Sequence, residues 1–342
     1  MTEEQYLTEL ERLLMGISII DRVDILRDVA EYFASGRLDG KSDEAMAEEL
    51  GTPEVLASEL LVSVDSIAAE PIAPPAIVQS PNVAFQHVSI RVQNAHVNVV
   101  PSADGYAYAT LEDETEHGVK MDIVNDTLEV RIESERRFGL SDLFSWFGTK
   151  TPVLHVELPR HTYESVRLNN RHGSSDVREV RAALIEVESE NGRINASEVR
   201  AGHGTLRSSN GNVCLTMSAG QDFDVQTSNG RVEVRDSVIE RLTLQSSNGR
   251  LDIVDVDGAI EAKSSNGRID CVIDAIEHPL RLKTTNGKIE LRLKQEPSDT
   301  VIRAKTRNGQ LDIFGNRTNE RTFGDGSLEV KLTSTNGSIT VE

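Results

Sequence analysis

Aromatic residues are scarce, at 4% of 342 residues, so a core of packed rings is excluded and an aliphatic core is expected. Cysteine is nearly absent. Cys214 and Cys271 fall at different offsets of the repeat described below, outside any CxxC or zinc-ligand spacing, which argues against a disulfide. No run of about 18 apolar residues occurs, so no transmembrane helix is expected. The opening MTEEQYLTEL has neither a basic n-region nor an apolar h-region, and the expected location is cytoplasmic. Positive charge is also short, with 36 Lys and Arg against 56 Asp and Glu, a net −20. That balance argues against nucleic acid and anionic membranes and favours cationic partners. GxSxG, HExxH, P-loop and dinucleotide fingerprints are missing, as are calcium-coil Gly-Gly-x-Gly-x-Asp repeats. No catalytic, cofactor-binding or metal-binding residue is assigned, no cofactor is expected, and the chain is read as non-enzymatic.

What is abundant is one phrase built on Asn-Gly. The pairs start at Asn191, Asn210, Asn229, Asn248, Asn266, Asn286, Asn308 and Asn336, and His172-Gly173 reads as a degenerate earlier copy. A period near 20 residues signals stacked repeats. Counted from each Asn, offset −4 is apolar (Val187, Leu206, Val225, Leu244, Ala262, Leu282, Ala304, Leu332) and offset −2 is hydroxyl (Ser189, Ser208, Thr227, Ser246, Ser264, Thr284, Thr306, Ser334). Offset +3 is aliphatic, from Ile194 and Val213 to Leu311 and Ile339. Alternation on both sides makes two strands per repeat, and the phase flip puts a corner or a hairpin at Asn-Gly. Asn191-Gly192, Asn210-Gly211, Asn229-Gly230, Asn248-Gly249, Asn266-Gly267 and Asn286-Gly287 are therefore the structural turns, where both residue types tolerate positive φ. The hydroxyl row is expected to satisfy backbone groups there.

Two architectures compete. A β-solenoid of parallel coils explains the constant period and the like residues at each offset, while no second strong turn divides the repeats. Stacked antiparallel hairpins are the alternative, which would pair Lys263 with Asp270, Lys283 with Glu290 and Lys305 with Asp312. The solenoid is preferred. Offsets +2 and +4 read as outward charged rows. The first contains Arg231, Arg250, Arg268 and Lys288, and the second Glu233, Asp252, Asp270 and Glu290. Like charges one strand apart repel by roughly 0.9 kcal/mol in water, which the opposite row about 7 Å away partly offsets. The basic row is a candidate interaction stripe, against the plainer reading that both rows keep the surface soluble. Stacked Asp252 and Asp270 could suggest acid–base work, but no histidine or second carboxylate row converges on them.

Residues 1–64 read as an acidic helical module with 15 acidic and 5 basic side chains. Thr2 and Gln5 form a capping box before the stripe Tyr6, Leu7, Leu10, Leu13, Leu14. A second helix spans about 21–38. Ser42 starts a third and Gly51 stops it, and Thr52-Pro53 opens a fourth. Residues 65–82, with Pro71, Pro74, Pro75 and Pro81, form an extended linker. Residues 83–165 are irregular opening coils, and 166–342 are the Asn-Gly repeats. Within the opening coils, residues 136–150 cluster Phe138, Phe144, Trp146 and Phe147 between basic residues. This is a candidate for partner or membrane-interface contact, or a cap over the end of the stack.

YLTELERLL, DILRDVAEYFASG and DEAMAEELGTPEVLASELL resemble the HAAS module, a helix-turn-helix-associated α-helical signalling domain, although ISIIDR replaces its usual polar turn. The resemblance implies a small adaptor of the kind often encoded beside PadR-like transcriptional regulators, and a PadR-like regulator or an envelope-stress component is the expected protein partner. VLHVELPRHTYESVRL and the recurrent SSNGR[IVL] phrase resemble the "putative-adhesin" β-strand-repeat family over residues 83–342. That resemblance implies adhesion by analogy, and a link to cell-envelope stress.

The expected fold class is thus α+β multidomain: a small N-terminal helical bundle and an all-β repeat domain. The expected function is a scaffold or sensor in envelope-stress or transcription-linked signalling, with the solenoid recognising and the helices relaying to a protein partner. A surface adhesin or glycan-binding module, and a peripheral membrane protein, are the alternatives.

Overall fold

The structure, a computed structural model, describes residues 1–15, 22, 25–26, 29–30, 33, 37, 41–58, 76–81, 83–112, 117–134 and 151–342. Phe138, Phe144, Trp146, Phe147 and most of the proline-rich linker lie outside the described residues. The chain divides into two compact units, one containing the N-terminal helices and one made of Pro75–Ser134 and Thr151–Glu342.

In the helical unit, Glu3–Leu13 starts at the expected capping box, with Gln5 N–H donating to Thr2 Oγ1 at 3.4 Å and Thr2 N–H to Gln5 Oε1 at 3.2 Å. Asp43–Leu50 is capped by Ser42 and ends at Gly51, whose φ of 77° only glycine adopts freely. Residues 53–58 are helical behind Thr52, as are the described positions from Arg22 to Arg37. Tyr6, Leu10, Leu14, Val29, Phe33, Met46, Leu50 and Leu56 make the core. Tyr6 reaches through it to donate to Gly51 O at 3.0 Å, and burial pushes its hydroxyl pKa up to about 12.

In the β unit the strands flanking each Asn-Gly do not pair with one another. Each pairs in parallel with its counterpart one repeat away. Arg181–Ser189 aligns with Arg200–Ser208, and Ile194–Ser197 with Val213–Thr216, residue for residue at an offset of 19. The side-chain pairs proposed for hairpins do not form: Lys263 meets Glu261 at 2.5 Å, and Asp270 is held by Arg250 and Arg268. The −4 row is fully buried, as is offset +3 except for the half-buried Leu311. Aliphatic side chains thus stack on their own kind along the axis, about 4.8 Å apart.

Five successive coils share a second corner. Glu179, Glu198, Met217, Asp236 and Asp255 recur every 19 residues with φ between 50° and 55°. None is glycine, so no turn signal marks them. Their left-handed backbone is imposed by the stack, and buried Ser218 and Ser237 tie the corners together by accepting from Val199 N–H and Ser218 N–H, each at 3.2 Å.

Both ends break the order of the chain. At the start, His87–Asn94 lies between Thr162–His172 and Thr127–Ser134, and His96–Pro101 lies between Ser175–Arg178 and Val153–Leu158. Antiparallel strands close that end: His117–Val124 on one sheet face, Tyr108–Glu112 and then Ala76–Gln79 on the other. At the finish, Leu328–Thr333 and Ile339–Val341 insert between the coil of Leu280–Leu293 and the coil of Thr300–Ile313. The long last Asn-Gly interval holds the return path, and Glu320–Phe323 pairs antiparallel with Thr300–Arg303 at the edge.

Candidate functional site

The Asn-Gly corners align into a ladder along the axis. Asn210 Nδ2 donates to Asn191 Oδ1, Asn229 to Asn210, Asn248 to Asn229, Asn266 to Asn248 and Asn286 to Asn266, each at 2.7 Å. Asn336 then donates to Asn286 at 2.6 Å and Asn308 to Asn336 at 2.7 Å, so the ladder follows the spatial order of the coils. His172 joins the first rung, 3.1 Å from Asn191 Nδ2. Beneath it the hydroxyl row forms a two-way clip. Ser208 Oγ accepts from Gly211 N–H at 2.9 Å and donates to Gly192 O at 3.0 Å, and Thr227 and Thr284 repeat the pattern, while Ser189 accepts from Gly192 N–H at 2.8 Å.

The glycines are needed for a different reason from positive φ, which none of the Asn-Gly glycines adopts. Each packs on the carbonyl of the glycine in the neighbouring coil. A Cβ on Gly230 would stand 2.0 Å from Gly211 O, and one on Gly249 1.6 Å from Gly230 O. Close backbone approach requires glycine here.

On one side of the ladder lie offsets +2 and +4. Arg231, Arg250, Arg268 and Lys288 do form a row, but the acidic row beside it is not outward: Asp252 is 3% and Asp270 4% exposed. The basic side chains fold over it. Arg250 Nε is 2.5 Å from Asp252 Oδ1, and its Nη2 is 2.7 Å from Asp270 Oδ2, an ionic contact outside hydrogen-bond geometry. Arg231 contacts Asp252 and Glu233, and Arg268 contacts Asp270 and Glu290. The hydrogen bond from Lys288, with Arg268 and Arg292 nearby, lowers the Glu290 pKa. These cations are therefore committed to buried carboxylates, whose charge would be left uncompensated without them.

On the other side, rows −1 and −3 line a groove of about 710 Å³. Ser209, Ser228, Ser247, Ser265 and Thr285 give it a floor of hydroxyls. Its wall changes along the axis from Glu188 through Arg207, Gln226 and Gln245 to Lys263 and Lys283. Arg207 is held by Asp224 at 2.8 Å, and Gln226 donates to the same carboxylate. The exposed Gln245 amide makes no side-chain bond among the described residues. Reading the −3 row as an outward row, rather than only as hairpin partners, would have revealed this drift in charge.

A second cavity of about 500 Å³ lies at the other corner, where Lys294 meets Asp255 at 2.6 Å and His278 meets Asp257 at 3.1 Å. Among the described residues no cluster of three His, Cys, Asp or Glu is placed to hold a metal ion. Cys214 and Cys271 are both free, and burial pushes the Cys271 thiol up to about 12.

The family model for Toastrack DUF4097 matches residues 85–342, the coil stack and its opening strands from His87 onward. The chain belongs to the Toastrack DUF4097 family. A HAAS model matches residues 5–59, so this Toastrack chain carries a HAAS module at its N-terminus. No curated protein matches it. Among solved structures, a "putative adhesin" from Parabacteroides distasonis aligns with a TM-score of 0.50 at 7% identity, covering 79% of this chain and 98% of its own. That likeness shows the fold alone. Another from Bacteroides fragilis aligns at 0.40 with 14% identity, covering 80% of this chain and 99% of its own. A "putative lipid binding protein" from Parabacteroides distasonis aligns at 0.43 with 12% identity, covering 75% and 97%.

Proposed function

We propose that this chain is a non-enzymatic recognition scaffold. Its repeat domain is a β-solenoid that binds an extended polar partner along the groove beside the asparagine ladder. The observation that carries this reading is the groove itself, which repeats from coil to coil between Glu188 and Thr285 and offers hydroxyl, amide and charged groups. A partner with its own axial repeat would gain one small set of contacts per coil, which suits additive recognition along a solenoid. The HAAS module is the adaptor. Its acidic surface suits a basic protein partner such as a PadR-like regulator or an envelope-stress component, and the adaptor role places the chain in the cytoplasm.

Filling the groove tests the first part. Ser228→Tyr and Ser247→Tyr replace exposed side chains, so melting should change little while binding of the full chain to immobilised polysaccharides falls at least tenfold. Unchanged binding sinks the groove as the site. For the adaptor, a PadR-like regulator should bind the full chain and not a chain starting at Pro75; equal binding to both would sink it. The likeness to the Parabacteroides distasonis "putative adhesin" favours a second reading, a surface adhesin. Cell fractionation separates the two, since only that reading puts the chain outside the cell.

A further inference from the structure

One end of the groove differs from the rest of this acidic chain. The inserted strand Leu328–Thr333 brings together side chains that are far apart in sequence. Arg281 aligns with Lys331, and Lys331 with Arg303; Lys283 and Lys305 flank Thr333. All five cations are exposed, on the sheet face opposite the buried −4 row. Arg303 is neutralised by Glu320 and Glu329, and Lys263 by Glu261. Lys283, Lys305, Arg307 and Lys331 make no ion pair among the described residues. Thr333 separates Lys283 from Lys305 by two strand spacings, and Lys331 stands one strand and two residues from each, so the three lysines form a locally cationic patch.

We propose that this end of the groove is an anion-binding platform and that its ligand is an acidic glycan, a polymer carrying carboxylate or sulfate groups. This rests on the groove being a recognition surface and names the ligand class for it. The groove supplies the two halves of such recognition. Hydroxyls, the Gln245 amide and Lys283 line the groove and suit the neutral part of a sugar chain, and Lys331, Lys305 and Arg307 extend its basic end on the next two coils, where they suit its charges. Other polyanions fit less well. Among the described residues no aromatic ring lines the groove, so bases find no stacking surface there. No large exposed apolar side chain lies on the patch, so it has no means of entering a bilayer. The net −20 does not prevent local binding, because charges farther off than about 8 Å are largely screened at physiological salt.

The test uses the full chain with four probes: polygalacturonate, its methyl-esterified neutral form, phosphatidylglycerol-containing vesicles, and single-stranded oligo-dT. Polygalacturonate should bind, at least tenfold tighter than the neutral form, and weaken as salt rises. Lys283→Ala/Lys305→Ala/Lys331→Ala should lose at least tenfold of that affinity with the circular dichroism unchanged, whereas the corresponding arginine variants should keep it. If both polymers bind equally and the triple variant is silent, the anionic assignment fails while the groove reading stands. If neither polymer binds, both fail. Preference for vesicles or oligo-dT, lost in the triple variant, overturns the glycan assignment.

Discussion

Replacing Gly230 by alanine puts the packing argument at risk most sharply. The added Cβ would lie 2.0 Å from Gly211 O, 2.5 Å from Gly211 C and 2.9 Å from Asn212 N, all backbone atoms that no rotamer change can move. The corner must lift away from the preceding coil. That would disturb the ladder bonds Asn229–Asn210 and Asn248–Asn229, the Gly230–Thr227 clip at 3.1 Å and the longer Ser246–Gly230 contact at 3.4 Å. At about 0.5–1.5 kcal/mol net for each, less where solvent competes, the expected loss is about 2–5 kcal/mol. Urea denaturation followed by circular dichroism reads it. Gly118→Ala is the control, since nothing lies within 4 Å of its added Cβ, and it should stay within about 0.5 kcal/mol of the parent. Gly230→Asn decides between explanations. Asparagine accepts positive φ, so if the glycine served φ the variant would be tolerated; steric exclusion by the neighbouring coil makes it as damaging as alanine. A Gly230→Ala protein as stable as the parent would refute the reasoning.

Other consequences follow from the corners and the charge rows. Met217 holds φ 50° and is 57% exposed, so Met217→Gly relieves strain while losing little packing. It should gain about 0.5–1 kcal/mol in the same denaturation assay. Because the folded pKa of Glu290 is depressed, its contribution is complete above the unfolded carboxylate value of about 4.3 and is lost as pH falls through the folded value. Glu290→Gln should flatten that part of the acid limb, and an unaltered limb would count against the pairing. Cys271, buried and with its pKa pushed up to about 12, should resist a thiol reagent in the native state at pH 8, while half-buried Cys214 reacts slowly first. Equal labelling rates would contradict the burial.

The repeat was legible because each coil restates the same local chemistry. The −4 and +3 rows announced the core, Ser189 and its equivalents announced the clip, and Thr2 with Gln5 announced the first helix. Four features were hidden for physical reasons. The second corner carries Glu198, Met217 and Asp236, whose left-handed backbone is set by stacking and opposed by local propensity. The glycines looked like φ > 0 residues because a sequence does not show how near another coil's carbonyl stands. Asp252 and Asp270 alternated like surface residues, yet Arg231, Arg250 and Arg268 cover them. The basic end of the groove was hidden most deeply, since it exists only after residues 328–341 pass between two coils that precede them in the chain.

That insertion underlies both the complete ladder and the proposed ligand platform, and disulfide trapping tests it directly. With Cys214 and Cys271 replaced by alanine, cysteines would be placed in pairs at positions 283, 333 and 305. In-register neighbours in adjacent strands sit about 4.8 Å apart, within disulfide reach, and alternate strands about twice as far. The account predicts rapid oxidation of the 283–333 and 333–305 pairs and none of the 283–305 pair. Cross-linking of 283 to 305 with 333 left free would place the coils in simple chain order and contradict it.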